Sequence, residues 1–194
     1  MNTRVMNGLP AHRSTSHRSQ FDVPYPFGAA AHHVIGEYPV ALDDKGRMRL
    51  PTALLRQLSA KADAGEGAGY EFVVNRGFEK CLTLYPKPVW DAIAAKLSRL
   101  NRFNDRNRAF VRSFYLGAYP ITTDSADRIL LQKPLMDYAG LAKEAILVAM
   151  DDRIEIWSPE AHTDMAAFDP NAFADLANDV MGGGADGVGD LTEL

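Results

Sequence analysis

The chain carries one layout twice. YPVALDDKGRMRLPTALLRQL begins at Tyr38 and YPITTDSADRILLQKPLMDYA begins at Tyr119. A shift of 81 positions lays Tyr38 on Tyr119, Pro39 on Pro120, Asp43 on Asp124, Arg47 on Arg128 and Leu50 on Leu131. Any fold for this sequence has to place two like units.

Each copy reads as a strand, a polar turn, a strand and a short helix. In the first, Val40 and Leu42 alternate with Ala41 and Asp43, the run Asp43, Asp44, Lys45 supplies a turn, and Met48 and Leu50 resume the apolar alternation. Gly46 can take positive φ without steric cost, and Asp43 can accept from a backbone N–H two residues on. Pro51 suits a first helical position, and Leu54, Leu55 and Leu58 follow at helical spacing. The Asp to Arg separation is therefore a hairpin device, with an acid on one side and a guanidinium on the other. A unit of about 45 residues buries too little apolar surface to stand alone. The two halves are expected to pack on each other, and open strand edges invite further copies.

Between the copies, KADAGEGAG reads as a flexible loop, and Glu71 to Asn75 and Cys81 to Tyr85 read as strands around a turn at Arg76 and Gly77. A helix opened by Pro86 and Pro88 follows, with Trp90, Ile93, Leu97 and Leu100 on one side. Asn104 or Asp105 can cap another, with Phe110, Val111 and Phe114 as its apolar face; Arg106, Arg108 and Arg112 read as its solvated face in preference to a DNA contact. In the second half Ala145 to Met150 and Ile154 to Trp157 repeat the strand pair around Asp151 and Asp152. Ser158 and Pro159 then open a short helix.

Charge is segregated. Residues 159 to 194 hold eight acids and no Lys or Arg, whereas residues 1 to 33 hold three arginines against Asp22, so the net −4 conceals a mildly basic body. Such a body is compatible with nucleic acid. Residues 1–33 show no packing period and are expected to be a disordered basic extension, and 169–194 an acidic disordered tail. No apolar run approaches the roughly 18 residues of a membrane helix, which predicts a soluble protein without a membrane partner. Cys81 cannot form an internal disulfide or a zinc cluster alone and reads as a buried small hydrophobe. His32 and His33 lack further ligands for a metal. Gly182, Gly184 and Gly187 match GxGxxG by accident, with no strand before them and no helix after.

YPVALDDKGRMRLP, RAFVRSFYLGAYP and DSADRILL strongly resemble the MraZ transcriptional regulators, whose signature is an Asp-x-x-x-Arg motif carried once in each of two AbrB-like swapped-hairpin halves. The resemblance runs from about Ile35 to about Phe168. It implies an α+β fold of two pseudo-repeated AbrB-like units with short helices, assembling into a ring-shaped homo-oligomer. The boundaries it implies are 35–87 for the first SpoVT-AbrB-like domain, 88–116 for a helical connector and 117–160 for the second. The partner implied is double-stranded promoter DNA, bound at short G-rich repeats upstream of the protein's own division and cell-wall operon. The location implied is the cytoplasm, on the nucleoid.

The residues rank the contacts. Lys45, Arg47 and Arg49 alternate and would share one strand face. Arg can bond O6 and N7 of guanine in two prongs, whereas Lys is a point charge suited to phosphate. Arg47 is expected to read bases or fix register, with Lys45 and Arg49 on phosphates; the alternative for Arg47 is internal pairing with Asp43. The second loop has Ala126 and Asp127 where Lys45 and Gly46 stand, so Arg128 is expected mainly to pair with Asp124 or Asp127, with a lesser share in DNA.

An enzyme is disfavoured: the acid pairs lie in turns, no Ser or His constellation accompanies them, and His162 stands isolated on an acidic helix. No catalytic residue, cofactor, metal or small-molecule substrate is expected. The alternative function is an AbrB-type antitoxin or interaction scaffold whose acidic tail binds a partner protein.

Overall fold

A computed structural model describes residues 33–58, 69–167 and 169–181. The first half contributes β1 (Val34–Ala41), β2 (Arg47–Arg49), the short helix α1 (Thr52–Leu55), β3 (Glu71–Arg76) and β4 (Leu82–Pro86). Two helices follow, α2 (Lys87–Ser98) and α3 (Asp105–Tyr115). The second half supplies β5 (Tyr119–Thr122), β6 (Arg128–Leu130), α4 (Lys133–Ala139), β7 (Glu144–Asp151), β8 (Arg153–Trp157) and α5 (Pro159–Ala166), and α6 (Pro170–Met181) ends the described chain.

Local chemistry sets most boundaries. Asn104 caps α3 by accepting from the N–H groups of Arg106 and Asn107, and Ser158 Oγ accepts from Ala161 N–H at the start of α5. Pro51 stands one place earlier than expected, at the N-cap, where its missing N–H costs nothing. Gly140 closes α4 at φ 65°.

The halves share strands. All pairing in the six-stranded sheet is antiparallel, in the order β1-β7-β8-β4-β3-β5, so each half's first strand lies against the other half's third. β2 and β6 form a separate two-stranded ladder, again across the halves. Exchanging halves turns the strand order into its own reverse. The pseudo-twofold axis passes through Met48 opposite Ile129 in the ladder and Thr83 opposite Glu155 in the sheet.

The main core lies between the ladder and one face of the sheet. Met48 and Ile129 are each 1 % exposed and pack with Leu50, Leu131, Phe72, Leu84, Leu147, Ile154 and Ile156. Burying side chains of this size contributes about 1.5–3 kcal/mol each. Val73, Tyr85, Val89 and Trp90 form a second cluster beneath the connector, where the Trp90 and Phe114 rings stack 5.6 Å apart.

The apolar face of α3 is partly covered: Phe114 packs on Trp90 at the helix's C-terminal end, and Phe110 is 44 % exposed. One expectation needs correction. Residues 170–181, expected within a disordered tail, are helical, since Phe173, Leu176 and Val180 fall on one helical face. The expected basic extension at 1–32, with His32, most of KADAGEGAG, the GxGxxG match and 182–194 lie outside the described residues.

Candidate nucleic-acid interface

Each Asp-x-x-x-Arg segment closes a turn between two strands, and the two turns have the same wiring. Asp43 Oδ1 accepts from the N–H groups of Lys45 and Arg47, both at 2.9 Å, and Oδ2 accepts from Arg47 Nε at 2.7 Å. In the second turn Asp124 Oδ1 accepts from Ala126 N–H at 2.9 Å and Arg128 N–H at 3.0 Å, and Oδ2 from Arg128 Nε at 2.8 Å. The carboxylate shapes the turn and fixes the guanidinium.

Electrostatics follow from this wiring. Asp43 is held below the ordinary carboxylate value, first by the backbone N–H of Arg47 and then, against desolvation, by its guanidinium. Asp124 is lowered to about 2, chiefly by the Arg128 guanidinium. Arg128 is raised by Asp124, with a further contribution from Asp43 across the axis.

The turns are also joined to each other. Leu131 N–H donates to Gly46 O and Leu50 N–H to Asp127 O, both at 2.9 Å. Gly46 sits at φ 77° and Asp127 at φ 58°. Asp127 tolerates a left-handed conformation better than most residues, so the second turn keeps the shape of the first without its glycine.

Register decides what faces outward. With Met48 and Ile129 buried inward, their neighbours Arg47, Arg49, Arg128 and Leu130 stand on the outer face, where Arg47 lies opposite Leu130 and Arg49 opposite Arg128. Lys45 is exposed in the turn ahead of the strand. Sequence reasoning gave Arg128 no basic companion, yet its cross-strand neighbour is Arg49 of the other half. Only the exchange of strands between halves reveals that neighbour, and no local sequence signal carries it. Arg47 and Arg128 are alike in their ion pairs, with side chains 36 % and 41 % exposed, so internal pairing does not distinguish them.

The other chemical groups are dispersed. Cys81 Sγ and the carboxylates of Glu79 and Glu155 lie within 4.8 Å of one another, but burial pushes the thiol up to about 12 and keeps it protonated at neutral pH. His162, read as isolated, stands 3.4 Å from Glu37. Among the described residues no helix is long and apolar enough to cross a membrane.

Comparison with known proteins bears on this arrangement. A family model described as "MraZ protein, putative antitoxin-like" matches residues 34–113 and again 114–179. A Cytophaga hutchinsonii protein named transcriptional regulator MraZ is 39% identical over 142 residues, covering 73% of this chain and 90% of the relative. Proteins of the same name from Christiangramia forsetii and Clostridium acetobutylicum are 35% and 34% identical, over 77% and 75% of this chain and 94% and 97% of their own lengths. Two family matches in tandem, over the two strand-exchanging halves, establish that the chain belongs to the MraZ family.

Proposed function

We propose that this protein is a sequence-specific DNA-binding transcriptional regulator that represses its own division and cell-wall operon. In this reading a ring of double swapped-hairpin subunits binds short G-rich promoter repeats in the cytoplasm, on the nucleoid. The observation that carries it is the outer face of the ladder: Arg47, Arg49 and Arg128 side by side, with Arg49 directly opposite Arg128. Like charges facing each other across two strands cost stability in the free protein. An anionic duplex offsets that cost. In this reading Arg47 is the base reader: Asp43 holds its Nε, which leaves the terminal guanidinium nitrogens for the O6 and N7 edge of guanine. Lys45 and Arg49 hold phosphates, and Arg128, flanked by Asp127, takes a lesser share.

One finger makes few contacts, and single phosphate contacts are weak at cellular salt. Several fingers on successive repeats make the later contacts intramolecular and gain avidity. The test is binding to the chain's own upstream duplex at several salt concentrations. Arg47→Ala is expected to cost about 1–3 kcal/mol and to relax discrimination, whereas Lys45→Ala weakens all sequences alike and lowers the salt slope by about one. If Arg47→Ala molecules that remain folded bind with unaltered affinity and specificity, Arg47 is not the reader.

The exposed apolar stripe of α6 favours a second reading, an antitoxin-like protein whose acidic C-terminal segment binds another protein. Deleting residues 169–194 separates the two: a regulator of the first kind keeps its promoter affinity.

A further inference from the structure

A cavity of about 270 Å³ lies away from the two Asp-x-x-x-Arg turns, and no residue of either turn lines it. It forms where Arg76 at the end of β3, Phe110 and Phe114 of α3 and Tyr138 of α4 meet, with Arg153 and Glu155 reaching it from β8. Small-molecule sites begin at roughly this size, mostly apolar with a few polar groups.

Arg76 is the unusual member. Its Nε is closed off from water and, among the described residues, is the one buried side-chain nitrogen or oxygen with no hydrogen-bond partner. No ion pair engages the guanidinium among those residues; it lies over the Tyr138 ring, 4.9 Å from the centroid. Gly117, at φ 90°, closes over it so tightly that a Cβ there would meet Nε at 3.0 Å. A charged donor left unmade in this way costs stability, and an absent partner accounts for it.

The other charges of the cavity sort themselves out. Arg153 Nε donates to Asp152 Oδ1 at 2.8 Å, and its guanidinium stands 5.7 Å from the Tyr85 ring. Glu155 accepts from Trp157 Nε1–H at 2.9 Å and, among the described residues, has no ion pair. Burial raises its carboxyl above the ordinary value, which a cation beside it would reverse. One unpaired guanidinium and one unpaired carboxylate therefore line a single aromatic cavity. A simple anion would be repelled by Glu155 and a simple cation by Arg76. A zwitterion answers both.

We propose that this cavity binds a small apolar amino acid, its carboxylate on the terminal nitrogens of Arg76, its ammonium on Glu155 and its side chain against Phe110 and Phe114. With Nε shut in, the two terminal nitrogens form the fork that a carboxylate takes, and neutralising them neutralises the charge that Nε shares. The site stands whether or not the protein binds promoter DNA.

Calorimetric and thermal-shift titration of the full chain with L-phenylalanine and L-leucine tests the proposal. Saturable binding is expected, with a rise in Tm as the site fills. 3-Phenylpropionate, which lacks the ammonium, and phenethylamine, which lacks the carboxylate, are each expected to bind at least about tenfold more weakly than L-phenylalanine, equivalent to about 1.4 kcal/mol. Arg76→Met keeps a long side chain over Tyr138 and removes the orphaned donor, so it is expected to abolish binding while the unliganded Tm stays equal or rises. Glu155→Gln is expected to remove the preference for L-phenylalanine over 3-phenylpropionate. The proposal is overturned if neither amino acid binds by about 10 mM, or if 3-phenylpropionate binds the parent chain as well as L-phenylalanine does. A clear fall in the unliganded Tm of Arg76→Met assigns the guanidinium to packing on Tyr138. Binding found only where light scattering shows the chain dissociated assigns the cavity to a neighbouring copy. Either outcome also overturns it.

Discussion

Gly46→Ala probes the turn at the point where backbone shape and packing coincide. The residue sits at φ 77°, where a Cβ costs roughly 1–2 kcal/mol. That Cβ would meet Met136 Sδ at 2.7 Å and Leu131 O at 3.0 Å. The thioether can swing aside, but the Leu131 carbonyl belongs to a backbone tied down where Leu131 N–H donates to Gly46 O. Overpacking against such a neighbour costs about 1–3 kcal/mol, so the total expected loss is about 2–5 kcal/mol. For a chain of this length that lowers Tm by about 10 °C. Urea unfolding at one fixed protein concentration measures it, because assembly links stability to concentration. The axis-related change, Asp127→Gly, relieves strain and is expected to be neutral or to gain up to about 1 kcal/mol. A Gly46→Ala chain within about 0.5 kcal/mol of the parent would refute the conformational argument. If it also lost promoter affinity, close approach of DNA to the glycine would take its place.

The remaining expectations concern charge, core and avidity. Asp124, lowered from 3.8 to about 2 in the folded chain, contributes stability that is complete above 3.8 and disappears as pH falls toward 2; Asp124→Asn flattens the stability–pH curve in that window. Glu155 is raised above 4.5 by burial, so its ionisation opposes folding and the loss grows as pH rises through 4.5 to its folded value. Glu155→Gln, which keeps an acceptor for Trp157 Nε1–H, should leave Tm at pH 7 equal or higher, and a clear drop would contradict this. Leu147→Ala, fully buried in β7 between β1 and β8, should cost about 2–5 kcal/mol by denaturant titration. A duplex with one repeat should bind far more weakly than one with several, and equal affinities in a gel-shift titration would remove avidity from the mechanism.

Local chemistry was readable and long-range partnership was not. Asp43 and Asp124, opening their turns, the caps Asn104 and Ser158, and the alternation through Met48 and Ile129 each declare themselves within a few residues. The partner of β1 does not, because alternation states which side chains face inward and leaves open which strand lies alongside. Arg49 opposite Arg128 is a product of that unstated choice. The contrast drawn from sequence between Arg47 and Arg128 rested on charge, on the acid beside Arg128 and the absence of a lysine in its loop; the shape of the turn is common to both, because Asp127 adopts the left-handed geometry. Periodicity marked the apolar face of α3 without saying how much of it the chain covers: Phe114 packs on Trp90 and Phe110 is 44 % exposed.

Because β1 lies on β7 and β5 on β3 within a single polypeptide, the local concentration of one half around the other is fixed by covalent linkage. Dilution therefore cannot part the two turns, and any change that dilution does produce reports on joints between molecules. The same linkage frees evolution from matching the turns: a substitution alters one of them alone, where in a symmetric pair of identical chains it would alter both.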